Sequence, residues 1–303
     1  MIELIRNTKI DFMGKRFIAL AFSGLLIISG IIAIVGIARG TANLGIDFAG
    51  GTAVQIKLNK EIPLADIRKT LIDGGITDFD LQSLPTEMKI LIRIKKSEDN
   101  IGGGSKKIIS VLSDKYSESN VRVDSTTEIG PKVGAKLRQD ASWAVIAAMI
   151  GILIYITFRF QFRFSVGATI ATFHDVLAVL GIFYLMGKEI NILLISALLM
   201  IAGYSLTDTV VVFDRIRENL RTKYKKSTFE IVNESINEVL SRTIIVSFTT
   251  FLTAFTLFAF GGEVIHDFAL AIMLGIIVGT YSSIFVASPV VIMMGKDKAF
   301  NKK

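Results

Sequence analysis

One carboxylate, that of Asp208, lies inside a long apolar run. On insertion scales an Asp at the centre of a membrane helix costs roughly 2.5–3.5 kcal/mol, so chains seldom keep one there without a use for it. Hydroxyl groups flank it at Ser205, Thr207 and Thr209. Burial favours the neutral carboxyl group, and a nearby cation favours the ionised one. An Asp that meets a cation in only one conformation would bind and release a proton as the protein moves, and the pattern therefore indicates a proton relay.

Arg242 is the cation that we expect to act with Asp208, because it begins a later apolar run. Thr249, Thr253 and Thr256 follow it on one face of a helix, so Arg242 could head a stripe of hydroxyl groups that enters the membrane. Plainer interpretations stay open. The arginine could reach only to lipid headgroups, the threonines could serve helix packing, and the Asp could be held in a static pair or kept neutral by a hydroxyl.

His174 and Asp175 form a second pair of ionisable residues, near the middle of another apolar run. Neighbouring residues on a helix point about 100° apart. We therefore expect the two side chains to face different surroundings and not to form one site. Together with Ser205 and Thr249 they are weaker relay candidates, and a structural role for the pair is equally open.

Six apolar runs must position these groups. Hydrophobic residues make up 51% of the 303 residues, and the mean hydropathy is +0.56. Runs of about 18 or more apolar residues are typical of membrane-spanning helices, so the sequence predicts an α-helical membrane protein. The predicted spans are residues 17–37, 141–158, 165–186, 191–213, 243–260 and 268–293.

Basic residues predict how the spans are oriented. They cluster in residues 1–16, between spans two and three, between spans four and five, and in the tail 294–303, whereas the connections 187–189 and 261–263 contain few. Short loops that face the cytoplasm are enriched in Lys and Arg. We therefore expect both termini in the cytoplasm, and residues 38–140 on the outer side of the cytoplasmic membrane.

Residues 38–140 are the only long polar stretch, and they suffice for one small domain. Alternation and helix boundary signals predict strands at 51–58, 78–84, 88–95 and 120–129 and helices at 63–72 and 105–116. The order β-α-β-β-α-β is typical of a ferredoxin-like α+β domain. We interpret the glycine-rich stretch Gly45–Gly51 as a tight backbone connection from span one into the first strand.

The connection between spans four and five, residues 214–241, has helical spacing. Its apolar residues, which include Val232, Ile236 and Leu240, fall on one side of such a helix. That arrangement favours a cytoplasmic helix at the membrane surface or packed beneath the bundle. A solvated helical linker is an equal alternative.

The last apolar run carries a second regular pattern. Every fourth residue is small, namely Ala271, Gly275, Gly279, Ser283 and Ala287. Small residues let two helix backbones approach closely inside a membrane. The pattern predicts a long helix–helix contact, within the bundle or against a partner, and no chemistry by itself.

The composition excludes several other functions. Without cysteine the chain has no thiolate ligands, and two histidines are too few for a histidine-rich metal site. No G-x-x-x-x-G-K-[ST] motif is present, so nucleotide-driven work is not expected. Much of the basic charge behind the net charge of +7 lies at span ends, which topology explains better than nucleic-acid binding. We expect no enzyme, metal or cofactor, and an ion gradient as the energy source, at about 2.3 kcal/mol per charge per 100 mV.

Four stretches are distinctive in combination: Gly45–Gly51, Gly203–Asn219, Ser241-Arg-Thr243 and Gly275–Phe285. Together they resemble the SecF branch of the SecD/SecF family of protein-export membrane proteins, which belongs to the RND superfamily. The similarity covers essentially the whole chain, including the single ectodomain after the first span. The second stretch is the most specific of the four.

The resemblance implies pairing with SecD in a twelve-span complex that assists export by the SecYEG translocon. The proton motive force, or a sodium gradient in some bacteria, would drive that work. Contacts with YajC, membrane lipid and unfolded polypeptides in transit are also implied. By its motifs the resemblance places the membrane-embedded Asp of the family at Asp208 and its span-five Arg at Arg242.

The chain departs from many members of that family at two positions. Thr207 stands where they have Asn, and Val246 stands where they have a Thr one turn after the Arg. Thr249, one turn deeper, is the nearest replacement for the second hydroxyl.

Two other functions fit the sequence. An RND-type half-transporter for small molecules or lipids would also need a second half, and the absence of SecD-like and SecYEG-like partners would favour it. A structural scaffold of the translocon without ion coupling would keep gradient-driven export after Asp208→Asn.

Overall fold

The computed structural model describes residues 8–59, 62–77, 79–84, 88–95, 103–116, 121–223 and 225–294. The basic tail beyond residue 294 and the turn expected at 85–87 lie outside the described residues. Six long helices in the described part are apolar enough to cross a membrane, which confirms the prediction of six spans. They are α1 (Arg16–Arg39), α5 (Pro131–Arg159), α6 (Phe162–Leu185), α7 (Ile192–Thr222), α8 (Thr228–Phe260) and α9 (Gly262–Ser282).

The bundle has a buried centre and an exposed periphery. α6, α7 and α9 bury most of the side chains that face their neighbours, whereas α1, α5 and α8 expose large apolar residues such as Phe17, Ile150 and Phe248. Apolar surface of that kind suits contact with lipid or with a second membrane subunit. The buried carboxylates, Asp175 and Asp208, belong to the central helices.

The helices extend beyond the predicted spans. α5 begins ten residues early, at Pro131, and α7 continues to Thr222. The length of an apolar run matches the thickness of the membrane, whereas the helix itself can continue into water with polar residues. In place of a single helix over 214–241, the structure has the end of α7 and the start of α8. A capping box between Ser227 and Glu230 starts the new helix there.

These two helix ends pack beneath the bundle. Val232 and Ile236 of α8 are buried in one cluster with Phe213 and Ile216 of α7. The amide of Asn219 donates to the hydroxyl of Ser235 at 2.8 Å. Of the alternatives open from the sequence, packing under the bundle is therefore the one observed.

The last span changes its winding near its end. α9 is followed by a π-helical turn, Ser283–Ala287, and by α10 (Ser288–Met294). Pro289 cannot donate a backbone hydrogen bond, and its ring would crowd the carbonyl group of Phe285 in a regular helix. A wider turn accommodates both effects.

The described part of residues 38–140 forms the expected ferredoxin-like domain. Its sheet has the order β2-β3-β1-β4 with antiparallel neighbours. The elements are α2 (Ile46–Ala49), β1 (Gly51–Leu58), α3 (Leu64–Asp73), β2 (Phe79–Leu84), β3 (Lys89–Lys95), α4 (Gly104–Lys115) and β4 (Val121–Ile129). Ile67 of α3 and Ile108 of α4 cover one face of the sheet and bury Val54 and Ile92.

The connection from α1 into β1 needs glycine. Gly50 and Gly51 have φ angles of 77° and 152°, which other residues rarely adopt. A Cβ atom on Gly51 would also collide with the carbonyl oxygen of Ile94. The tight connection expected for Gly45–Gly51 is present, with the short helix α2 inside it, which was not predicted.

Candidate relay site between the membrane helices

Close contact between α7 and α9 creates the polar centre of the bundle. A Cβ atom on Gly275 would collide with Ile201, and one on Gly279 would lie 3.1 Å from the Cβ atom of Ser205. Ala271, Ser283 and Ala287 of the same pattern are also buried. The small residues thus allow the polar side chains of α7 to meet those near the end of α9.

Asp208 of α7 is one of two carboxylates at this contact, and only 4% of it is exposed. Its Oδ2 atom accepts from the hydroxyl of Ser247 on α8 at 3.2 Å and from that of Thr280 on α9 at 3.4 Å. These distances exceed the usual 2.7–2.8 Å of hydroxyl bonds. The two hydroxyls also bond to each other, at 2.7 Å. Its Oδ1 atom has no hydrogen bond among the described residues.

Asp175 of α6 is the second carboxylate, and it is fully buried. Its Oδ2 atom accepts hydrogen bonds from Ser205 of α7 and, at 2.8 Å, from Ser282 of α9. Its Oδ1 atom lies 2.9 Å from Nδ1 of His174. Asp175 therefore joins three helices, and both of its oxygens have partners.

The expectation that His174 and Asp175 would face different surroundings was wrong. Both residues are buried, and their side chains bond to each other. The backbone directions do diverge, but side-chain torsions let the imidazole bend back to the neighbouring carboxylate. The Nε2 atom of His174 is buried and has no hydrogen-bond partner among the described residues.

Arg242 does not meet Asp208 in this arrangement. Its side chain is exposed on α8 and has no hydrogen bond or ion pair within the described part of the chain. Thr249 is exposed as well, and its hydroxyl donates to the carbonyl of Val246 in its own helix. Thr253 and Thr256 are bonded in the same way. The expected hydroxyl stripe lies on the outer surface of the bundle, away from the buried carboxylates.

Of the four hydroxyl residues that contact the two carboxylates, only Ser205 was expected from the sequence. Ser247 is the buried hydroxyl of α8 that reaches Asp208, and Thr280 and Ser282 extend the small-residue face of α9. A signal was available, because a run of hydroxyl residues at 280–283 interrupts an otherwise apolar span. Which hydroxyl meets which carboxylate depends on the relative position of the helices, which periodicity within one helix does not report.

The chemistry available here is that of oxygen donors around carboxylates. No group of three or more His, Cys, Asp or Glu side chains suited to a metal exists in the described ranges. Asp208, with two long hydroxyl bonds and one oxygen without a hydrogen bond, can take up a proton or a small monovalent cation with little rearrangement. Asp175 would first have to give up three established contacts.

Six apolar helices long enough to span a membrane, a ferredoxin-like domain after the first and carboxylates buried between the central helices define a multi-span membrane protein with one domain outside the bundle. The family model for "Protein export membrane protein SecD/SecF, C-terminal" matches residues 108–297, and that for the "SecD/SecF GG Motif" matches residues 42–62. The protein translocase subunit SecF of Thermodesulfovibrio yellowstonii is 57% identical over the full length of both chains. That of Calditerrivibrio nitroreducens is 42% identical over 97% of each chain. The chain belongs to the SecF family of protein translocase subunits.

A solved structure is similar over nearly the whole chain. The crystal structure of SecDF from Thermus thermophilus, described as a translocon-associated membrane protein, has a TM-score of 0.81 and 35% identity over 95% of this chain. This chain spans 39% of the length of that SecDF chain. A SecDF structure in a "super-membrane-facing form" has a TM-score of 0.71 at 36% identity.

Proposed function

We propose that this chain assists protein export across the cytoplasmic membrane as the SecF-type half of a complex with a SecD-type partner. The proton motive force, or a sodium gradient, drives the work through Asp208. The chain itself is not an enzyme and needs no cofactor beyond the coupling ion. SecYEG, YajC and unfolded polypeptides in transit are its further partners.

The loose hydrogen bonding of Asp208 is the observation that carries this proposal. Its hydroxyl contacts at 3.2 and 3.4 Å can be exchanged for an ion at small cost. Ionisable residues inside membrane helices mark ion pathways more often than they stabilise a fold. Asp175, which has tight partners on both oxygens, supports the helix arrangement around that pathway.

The proposed orientation rests on the common location of the basic helix ends. Arg159 at the end of α5 lies 3.5 Å from Asp214 of α7, and Arg215 lies 2.6 Å from Glu238 of α8. The backbone carbonyl of Ile10, near the N-terminus, accepts from side chains at the start of α8. These groups share one end of the bundle, which the positive-inside rule assigns to the cytoplasm. The ferredoxin-like domain then lies outside.

A SecD-type partner would cover helix faces that are exposed here. Met200, Gly203 and Thr207 form an exposed stripe on α7, next to the turn that carries Asp208. Arg242 is exposed on the neighbouring helix α8. The SecDF chain is long enough to hold a second half, since this chain matches 39% of it. Packing of such a half on α7 and α8 would cover the exposed stripe next to Asp208, and a shift of α8 would bring Arg242 into the pathway.

The test is export under an imposed ion gradient. The chain is reconstituted into liposomes with its SecD-type partner and SecYEG, and translocation of an unfolded polypeptide is measured with a proton gradient, a sodium gradient or neither. Asp208→Asn keeps the shape of the side chain but cannot change its charge. We expect this variant to lose the gradient-dependent part of export by at least about tenfold, since ion binding at that position is removed.

Asp114→Asn is the matched control, because Asp114 is exposed on α4 and has no hydrogen bond or ion pair within the described ranges. It should export at the parent rate. If Asp208→Asn assembles with its partners and still responds fully to the gradient, the chain is a scaffold without ion coupling. If neither partner co-purifies with the parent chain, the half-transporter function is favoured instead.

A further inference from the structure

Strand β2 is an edge strand of the ferredoxin-like domain. It pairs with β3 alone, so no strand in the described part of the chain occupies its outer edge. Such an edge presents backbone N–H and C=O groups that can pair with another extended chain. The opposite edge, β4, carries three exposed charged residues, Arg122, Asp124 and Glu128. Charges of that kind discourage pairing at an edge, and β2 has only one, Asp80.

A cavity of about 520 Å³ lies beside β2. Four consecutive residues of the strand, 79–82, line it. Successive side chains of a strand point to opposite faces of the sheet. Since residues from both faces of β2 line the cavity, we infer that it follows the edge of this strand, while Arg93 of β3 shows that it also reaches one face of the sheet. The volume falls within the range of roughly 300–1,000 Å³ that is typical of binding sites.

The opposite wall of the cavity comes from the outer end of the membrane bundle. It consists of Asn43, the connection 187–189 between α6 and α7, and Asp267 of α9. Two ion pairs hold this wall in place. Arg93 of β3 lies 3.1 Å from Glu189, and Lys188 lies 2.8 Å from Asp267. The groove thus lies between the outer domain and the membrane helices, and the ion pair of Arg93 with Glu189 joins the two.

We propose that this slot, the β2-edge groove, binds an extended segment of unfolded polypeptide as an added strand. Backbone hydrogen bonds from β2 supply the affinity, so binding depends little on sequence. Most residues that line the groove are polar, but their charged groups are paired with each other, and Ile46, Phe79 and Leu81 add apolar surface. The preferred occupant therefore has neutral side chains, either small and polar or β-branched. The proposal rests on the proposed export function, which supplies such polypeptides at this side of the membrane.

Binding is tested with the full chain in detergent micelles and a fluorescein-labelled peptide of about ten residues that alternates Thr and Val. A depsipeptide copy replaces the central amides by esters, which keeps the side chains but removes the N–H donors. We expect saturable binding of the peptide by fluorescence anisotropy, and binding of the depsipeptide that is at least about tenfold weaker. Equal binding of the two would overturn strand addition.

The position is tested by photo-crosslinking. A benzoylphenylalanine is placed at Gln82, which lines the groove, or at Lys69, which is exposed on α3 on the helix-covered side of the sheet. The peptide should crosslink at position 82 and not at position 69. Equal labelling at both positions, or capture of only the SecD-type partner at position 82 in the complex, would show that the groove is not a polypeptide site. The assay needs no ion gradient, so its failure leaves the Asp208 result intact, and a scaffold outcome at Asp208 leaves peptide binding intact.

Discussion

Asp175 and Asp208 are two carboxylates buried in the same bundle, and they are held in opposite ways. Asp175 has partners on both oxygens, one of them on its own helix and two on α7 and α9. Asp208 has two long contacts on a single oxygen. Ser205, which bonds to Asp175, and Asp208 lie one turn apart on α7, so the two sites adjoin each other.

Burial alone therefore does not identify an ion pathway. A carboxylate whose partners are complete joins helices, because each partner is lost when the helices separate. A carboxylate whose bonding is incomplete can change its ion without disturbing the packing. We therefore expect the largest stability effects at Asp175 and the largest transport effect at Asp208.

The strongest test compares Asp175→Ala with Asp208→Ala in reversible unfolding in mixed micelles. Asp175→Ala removes two interhelical hydrogen bonds of about 0.6 kcal/mol each and leaves His174 without its partner. We therefore expect the free energy of unfolding to fall by about 2 kcal/mol. Asp208→Ala should cost less than about 1 kcal/mol, because its contacts are long. An equal or larger loss for Asp208→Ala would reverse the assignment of the two roles.

A finer test exchanges one hydroxyl at each site. Ser205→Ala removes a donor to Asp175 and should reduce stability by about 1 kcal/mol without changing the ion dependence of export. Ser247→Ala removes a donor to Asp208, and Thr280 can still donate to that carboxylate. It should change the ion concentration at half-maximal export about threefold, the equivalent of one weak hydrogen bond, with little loss of stability.

Both variants must be measured in unfolding and in export, because we expect Ser205→Ala to change only stability and Ser247→Ala to change mainly the ion dependence of export. If Ser205→Ala changes the ion dependence as much as Ser247→Ala does, the two carboxylates act as one coupled site. In that case the separation into a structural and a transporting carboxylate fails.

Local patterns explain why much of the fold could be predicted. The length of apolar runs identified the six spans, and period-two alternation identified β1 at its observed bounds, Gly51–Leu58. The ends of α7 and α8 were missed because a helix can leave the membrane while its composition becomes polar. The capping box at Ser227 was the signal that could have located that break.

Only part of the candidate site could be predicted from the sequence, for a related reason. Asp175 and Asp208 were found because charged residues are rare in apolar runs. Ser247, Thr280 and Ser282 were missed because hydroxyl residues are common there, and their partners depend on how neighbouring helices are placed. A joint role of Asp208 and Arg242 stays a prediction, because the two side chains do not meet in this structure.

We expect the smallest effect at Lys223, which lies between α7 and α8. A variant at this position tests whether the pH dependence of unfolding and export arises only at the buried carboxylates. Its ammonium group lies 2.7 Å from Glu238, and this hydrogen bond raises the pKa of Lys223 above its ordinary value. Because this pKa is higher in the folded state, the interaction contributes its full stabilisation at any pH below about 10.4, the ordinary pKa of Lys. The stabilisation is lost only as the pH rises through the higher, folded-state pKa. Lys223→Met should therefore lower the free energy of unfolding by less than about 1 kcal/mol. The loss should be the same at any pH from roughly 5 to 9, because Lys is charged in both the folded and the unfolded state over that range. Unfolding and export measured across that range check this expectation. A pH-dependent difference from the parent would show that the junction of the two helices responds to protons itself.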